Sequence, residues 1–189
     1  MTPRTEPARG ALRQSDQLVV YVDGCSLGNP GDSAIGVVIV APTGDILWEA
    51  GEYIGDGTNN VAEYRALLRG LQQARALGAS CITICTDSEL LQRQLGGQYK
   101  VRAAHLQPLH LEAQRLLLKF RRVRLCRVPR ERTARADWLA RQAAHSKQTI
   151  VPDLAARPPT GLPAGRHRRP ASKPGQRKAS LPDATGPRR

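Results

Sequence analysis

Apolar and polar positions follow a regular pattern from about residue 17 to residue 147. QLVVYVD is a short run rich in β-branched residues that ends at the turn-rich GCSLGNPGDS, and it predicts a strand. AIGVVIVAP and ILWEAGEYI, separated by a turn at Thr43–Gly44–Asp45, predict two more strands joined as a hairpin. In TNNVAEYRALLRGLQQARALGA the apolar positions Val61, Tyr64, Leu67, Leu68, Leu71 and Ala74 fall at helical spacing, with Gly78 as the stop. CITICTD, apolar almost throughout, predicts a buried fourth strand. SELLQRQLGG predicts a short helix, AHLQPLHLEAQRLLLKF contains another, RVRLCRVP predicts a fifth strand and TARADWLARQAAHS a last helix. The order β-β-β-α-β-α-α-β-α predicts an α/β domain with a central mixed sheet, an antiparallel meander followed by strands added through helical crossovers.

Outside this region the pattern stops. Residues 1–16 lack apolar periodicity and read as a disordered lead, residues 17–147 as the folded domain, and residues 148–189 as a basic, Pro/Arg-rich disordered tail. From Val151 onward nine Lys/Arg stand against two Asp, so the tail carries more than half of the chain's net charge of +13. That charge makes a polyanion the first partner to consider, although ribosomal, chromatin-like and membrane-surface proteins share it. The tail itself reads either as a solvated extension or as a loose nucleic-acid tether.

Cys25, Cys81, Cys85 and Cys126 form no CxxC pair and have no His at ligand spacing, which argues against a zinc site; three of them lie in apolar runs as small buried hydrophobes. No segment approaches about 18 consecutive apolar residues and the N-terminus has no apolar leader core, so a soluble cytoplasmic protein with no membrane partner is expected. A monomer is the default.

Acids are few in the folded region, twelve between residues 17 and 150, yet four stand where a sheet-based site would want them. Asp23 lies in or just beyond the first strand, Glu63 in the first turn of the long helix, Asp87 at the end of the fourth strand and Asp137 near the start of the last helix. Each also has a local explanation. Asp23–Gly24 can be a turn, and Asn60-x-x-Glu63 fits a capping box. Asp87 can be an N-cap, and Asp137 can pair with Arg141 at i+4. These local roles leave the flanking residues unexplained.

The strings YVDGCSLGNPG, TNNVAEYRALLRGL, CTDSELLQRQLGG and VPRERTARADWLARQA resemble, in order and spacing, the four signature blocks of type I ribonuclease H. GQYKV resembles a segment of the bacterial and archaeal subgroup that lacks the inserted basic substrate-binding helix. The resemblance covers about residues 17–146. It implies a ribonuclease H-like fold, a five-stranded mixed β-sheet flanked by α-helices, in agreement with the pattern above. It also implies an endoribonuclease that hydrolyses the RNA strand of an RNA–DNA hybrid and leaves 5′-phosphate and 3′-hydroxyl ends. The implied cofactors are two Mg²⁺ ions, or Mn²⁺, roughly 3.5–4 Å apart. On this resemblance Asp23 bridges both ions, Asp137 serves the ion on the attacking-water side, and Glu63 and Asp87 serve the ion at the leaving 3′ oxygen. Asn29, Asn59 and Asn60 match positions that reach sugars and base edges in the minor groove, and Thr58 a position that contacts a DNA phosphate. Asn29 also fits an Asn-Pro turn, and Asn60 an N-cap.

Four departures from the family pattern stand out. No His lies between His110 and His145, where many members carry one; the loop RVPRERTARAD instead offers Arg130, whose permanent charge limits it to an electrostatic role. Thr133 replaces a common Asn, Glu89 stands where Gln is frequent, and Asp56 sits where some relatives place a DNA-binding Arg. From Arg115 to Arg141 ten Lys/Arg face two acids, Glu131 and Asp137, which reads as a solvated face or as a backbone-binding groove. The competing function is a non-catalytic nucleic-acid-binding module of the same fold, or another nuclease of that superfamily. Four clustered acids argue against a pure binder, because they would repel a phosphate.

Overall fold

The computed structural model describes residues 17–153; the expected lead and most of the basic tail lie outside them. The elements are β1 (Gln17–Ser26), β2 (Gly31–Val40), β3 (Ile46–Gly57), α1 (Asn59–Ala76), β4 (Cys81–Thr86), α2 (Glu89–Leu95), α3 (Gln107–Leu117), β5 (Arg122–Arg127) and α4 (Arg130–Ser146). They form one five-stranded sheet in the order β3-β2-β1-β4-β5. The β1–β2 and β2–β3 pairs are antiparallel and the β1–β4 and β4–β5 pairs parallel, the mixed sheet that the element order predicts.

Alternation along the strands divides the core. Leu18, Val20 and Val22 of β1, Ile35, Val37 and Ile39 of β2, and Ile82 and Ile84 of β4 pack against Tyr64, Leu67 and Leu71 of α1. On the other face Val38 and Val40 meet Ala136 and Leu139 of α4, and Ala34 and Cys25 meet Ala140, Ala143 and Ala144. Small residues here let α4 lie with its backbone nearly on the sheet. A Cβ at Gly36 would fall 1.9 Å from the Ala136 carbonyl oxygen, so only glycine fits. Glu49 of β3, 1% exposed, is buried under α4 and accepts two hydrogen bonds from Arg135, at 2.9 and 2.7 Å. The Arg135 guanidinium in turn lies 4.5 Å from the Trp138 ring centre, giving Trp138 a packing role.

Local details differ from the sequence reading at three places. β1 continues through Gly24, Cys25 and Ser26, because these residues keep pairing with Ile35, Ala34 and Ser33; the turn shrinks to Leu27–Pro30. α1 is capped by Thr58, whose Oγ1 accepts the Val61 N–H at 3.4 Å, so neither an Asn60 cap nor a capping box with Glu63 forms, and Glu63 falls in the second turn. α4 starts at Arg130, directly after Pro129, whose fixed φ suits a helix entry. Arg130 is therefore in the first turn of a helix rather than in a loop, and Asp137 lies two turns in.

Ile150, which composition assigns to the tail, pairs with Gly51 of β3 through reciprocal backbone hydrogen bonds of 2.7 and 2.8 Å. The four thiols are free: Cys25, Cys81 and Cys85 are buried and Cys126 is half-buried. Among the described residues no helix is long and apolar enough to cross a membrane.

Candidate active site

β1 and β4 are parallel neighbours, so Asp23 near the end of β1 and Asp87 just beyond β4 emerge at the same edge of the sheet. α1 crosses this edge at close range: a Cβ on Gly24 would lie 2.3 Å from the Glu63 backbone nitrogen. Gly24 thus places Glu63 beside Asp23. Asp23, Glu63 and Asp87 each offer a carboxylate oxygen within 4.8 Å of the others. Asp87 does not cap α2; Ser88 does, its Oγ accepting the Leu91 N–H at 3.3 Å.

The electrostatics are those of a site built for positive charge. Asp23 and Glu63 are each 6% exposed, and the buried Glu63 Oε2 has no hydrogen-bond partner. Burial, then the charges of Asp87 and Asp137, push Asp23 up to about 7. Burial, then Asp23 and Asp87, push Glu63 well above the usual carboxylate range. A half-satisfied cluster of hard oxygen donors fits a divalent cation, which would fill the orphaned lone pair and relieve the repulsion.

Asp137 completes the group from α4 in a different state. Arg130 Nη2 donates to its Oδ1 at 3.0 Å, and Arg141 Nε lies 3.0 Å from both its oxygens. Burial alone would raise its pKa, but the hydrogen bonds from Arg141 and Arg130 outweigh burial and hold it below the ordinary value. The i+4 pair noted in the sequence is present, but it sits inside the site. Arg141 as a second guanidinium on Asp137, and Gly36 as the contact that lowers α4, are what the sequence reading missed. Their only signals were an ordinary helical spacing and one glycine in an apolar strand.

These side chains line an open cleft of about 450 Å³, together with Ser26, Leu27, Asn59, Ser88 and Glu89. Asn59, the first residue of α1, is exposed at the rim, and its N–H donates to Asn29 Oδ1 at 3.2 Å, tying the β1–β2 turn to the helix start. Thr58 is the cap just before it, and Asn60 is exposed one residue further on; neither they nor Asn29 lines the cleft itself. Glu89 pairs with Arg93 at 2.6 Å and Arg127 at 3.3 Å. Thr133 is buried, its Oγ1 donating to the Arg130 carbonyl at 3.0 Å, and Asp56 is exposed on β3.

A mixed sheet with carboxylates from β1, α1, the end of β4 and α4 defines a ribonuclease H-like protein, and comparison narrows the class. A family model described as reverse transcriptase-like matches residues 21–143. A ribonuclease HI of Halobacterium salinarum is 38% identical over 143 residues, covering 76% of this chain and 69% of that protein. A bifunctional protein of Mycobacterium tuberculosis is 42% identical over 128 residues, 67% of this chain, and the match spans only 35% of that relative's length. The structure of LC11-RNase H1 in complex with an RNA/DNA hybrid superposes with a TM-score of 0.66 at 36% identity, covering 69% of this chain and 98% of the other. The chain belongs to the type I ribonuclease H family.

Proposed function

We propose that this protein is an endonuclease that hydrolyses the RNA strand of RNA–DNA hybrids, leaving 5′-phosphate and 3′-hydroxyl ends. The observation that carries the reading is the convergence of Asp23, Glu63 and Asp87 within 4.8 Å, with a buried Glu63 oxygen left without a partner. Clustered negative charge at the floor of a cleft is useless to a phosphate binder unless cations mediate. Asp23, Glu63 and Asp87 would hold one Mg²⁺ or Mn²⁺ ion, and Asp23 with Asp137 a second. Bound there, such ions supply activation of the attacking water and neutralisation of the leaving 3′ oxygen.

The protein's own groups do the positioning. Thr58 and Asn59 at the N-terminus of α1, with Asn29 bonded to Asn59, offer donors and acceptors to the sugar-phosphate backbone at the rim. Selectivity for the hybrid rests on these groups reading 2′-hydroxyls and helix shape. Arg130, 63% exposed and one ion pair away from Asp137, faces the place where phosphate charge would sit, and its role there is electrostatic. The reading extends to a monomer in the cytoplasm, since free thiols are what a reducing compartment maintains.

The test is a labelled RNA paired with DNA, with RNA or left single-stranded, beside a labelled single-stranded DNA, incubated with Mg²⁺, Mn²⁺ or EDTA. Cleavage of the RNA in the hybrid only, abolished by EDTA and by Asp87→Asn, is expected. Tight binding without cutting would replace the enzyme by a binding module, and equal attack on single-stranded DNA would indicate a different nuclease of the superfamily.

A further inference from the structure

The run of ten cations between Arg115 and Arg141 is sorted by the fold into distinct surfaces. β5 alternates. Leu125 packs into the core on the α1 side, so Arg122, Arg124 and Cys126 turn toward the α4 side, opposite Cys81, Thr83 and Cys85 of β4. α4 packs chiefly on β1, β2 and β3 and only slightly on β4, so on this side the β5 end of the sheet carries its own arginines. Arg121 Nη2 lies 3.8 Å from Cys81 Sγ. Arg132 of α4 reaches the neighbourhood of Cys85, whose thiol burial and Cys126 push up to about 12 while Arg132 pulls it down.

Arg121, Arg122 and Arg124 are exposed and Arg132 is half-buried. Among the described residues none of the four has an ion-pair partner. At the site end Arg130 of α4 reaches Asp137, while Arg127 turns to the opposite face of β5 and pairs with Glu89 of α2. A six-residue strand spans roughly 20 Å. Arg122 and Arg124 lie two residues, roughly 7 Å, apart at the end of that strand away from the cleft. With Arg121 and Arg132 beside them and no acid paired to any of the four, they repel one another in the free protein and suit the phosphates of a nucleic-acid backbone.

We propose that the α4-side face of β5, carrying Arg122 and Arg124 and flanked by Arg121 and Arg132, is a track for the phosphate backbone of nucleic acid that extends beyond the catalytic cleft. The occupant is the flank of the bound hybrid, so the proposal rests on the hybrid reading above. It makes affinity depend on substrate length: roughly 20 Å corresponds to about six base pairs at ~3.4 Å each.

The experiment measures binding rather than cutting. Fluorescence anisotropy in EDTA compares a hybrid of about 8 base pairs, enough for the cleft, with one of about 24, long enough to add the track. The wild-type chain is set against Arg122→Gln/Arg124→Gln/Arg132→Gln. The variant should bind the long hybrid several-fold more weakly, and the slope of log affinity against log salt should fall by about 2 to 3. Binding of the short hybrid should not change. Equal loss on both lengths, or no loss on either, overturns the track. Arg124→Gln alone, on an exposed side chain, serves if the triple variant melts at a lower temperature, with a slope change of about 1 expected. A protein that loses long-hybrid binding in the variant yet never cuts would leave the track standing while removing the nuclease reading.

Discussion

Asp23 and Gly36 face each other across the β1–β2 ladder, and the absent side chain of Gly36 brings Asp137 to Asp23. The Ala136 carbonyl fills the space a Cβ would take, and Asp137 is the next residue along α4. Gly24 does the same for Glu63 on the opposite face of the sheet. Two glycines, one beside Asp23 in sequence and one across from it, set the depth at which two helices deliver their acids.

Gly36→Ala should therefore damage stability and function together. Overpacking against the α4 backbone costs about 1–3 kcal/mol, and a displacement of about 1 Å at a reacting group costs on the order of 100-fold in rate, a loss of similar size. Urea unfolding and hybrid cleavage, measured on the same preparation, check this; a stable variant with unaltered cleavage would mean that α4 adjusts without moving Asp137.

The metal-free protein should become less stable as pH rises. Asp23, at about 7 in the folded chain against an ordinary 3.8, binds its proton more tightly folded than unfolded. Its stabilising contribution is complete below about pH 4 and lost as pH climbs through 7, and Glu63 acts in the same direction. Asp137, held below its ordinary value, acts oppositely and only in acid. Melting temperature in EDTA should fall from pH 5 to pH 8, by about 4 °C for each kcal/mol lost. Asp23→Asn should flatten the profile, and added Mg²⁺ should restore stability at pH 8. A melting temperature that rises over this interval would contradict the burial of the cluster.

Arg141→Ala should tighten cation binding. Both Asp137 oxygens are occupied by guanidinium donors, so a cation must displace them before it can use that carboxylate. Titration calorimetry with Mn²⁺ should show a several-fold gain in affinity in the variant. A loss would mean that Arg141 holds Asp137 in its ligating orientation instead of competing for it.

Arg135→Ala should be among the more damaging substitutions distant from the cleft floor. It removes a bidentate partner from the buried Glu49 carboxylate, a loss of charge-assisted hydrogen bonds that costs about 1.5–3 kcal/mol. Arg135→Ala with Glu49→Gln should recover part of the loss in denaturant titrations; an additive loss would argue against direct coupling.

The fold was legible in the sequence because period-2 and period-3.6 patterns report burial directly. Every strand and helix expected from QLVVYVD to the last helix is present, and the mixed sheet follows their order. The four acids, Asp23, Glu63, Asp87 and Asp137, were legible from their places along the elements, although Asp23 lies three residues before the end of β1 and Glu63 in the second turn of α1. Backbone-level detail was less so. Pairing carried β1 past a glycine that looked like a stop, and Thr58 out-competed Asn60 as cap through its own geometry. Arg141 looked like half of an ordinary surface pair, because nothing in a helical spacing says which face of α4 meets the cleft.

The unequal burial of the thiols has a practical outcome. Cys81 and Cys85 are buried, Cys25 is 7% exposed on the wall of the cleft, and Cys126 is partly open, beside Arg127 and in register with Cys85, two residues before Asp87. A thiol-reactive fluorophore or spin label should attach first at Cys126 in the native chain, with Cys25 on the cleft wall shielded when hybrid is bound. The protein thus carries a built-in spectroscopic reporter between the cleft and the arginine stripe, with no cysteine to add.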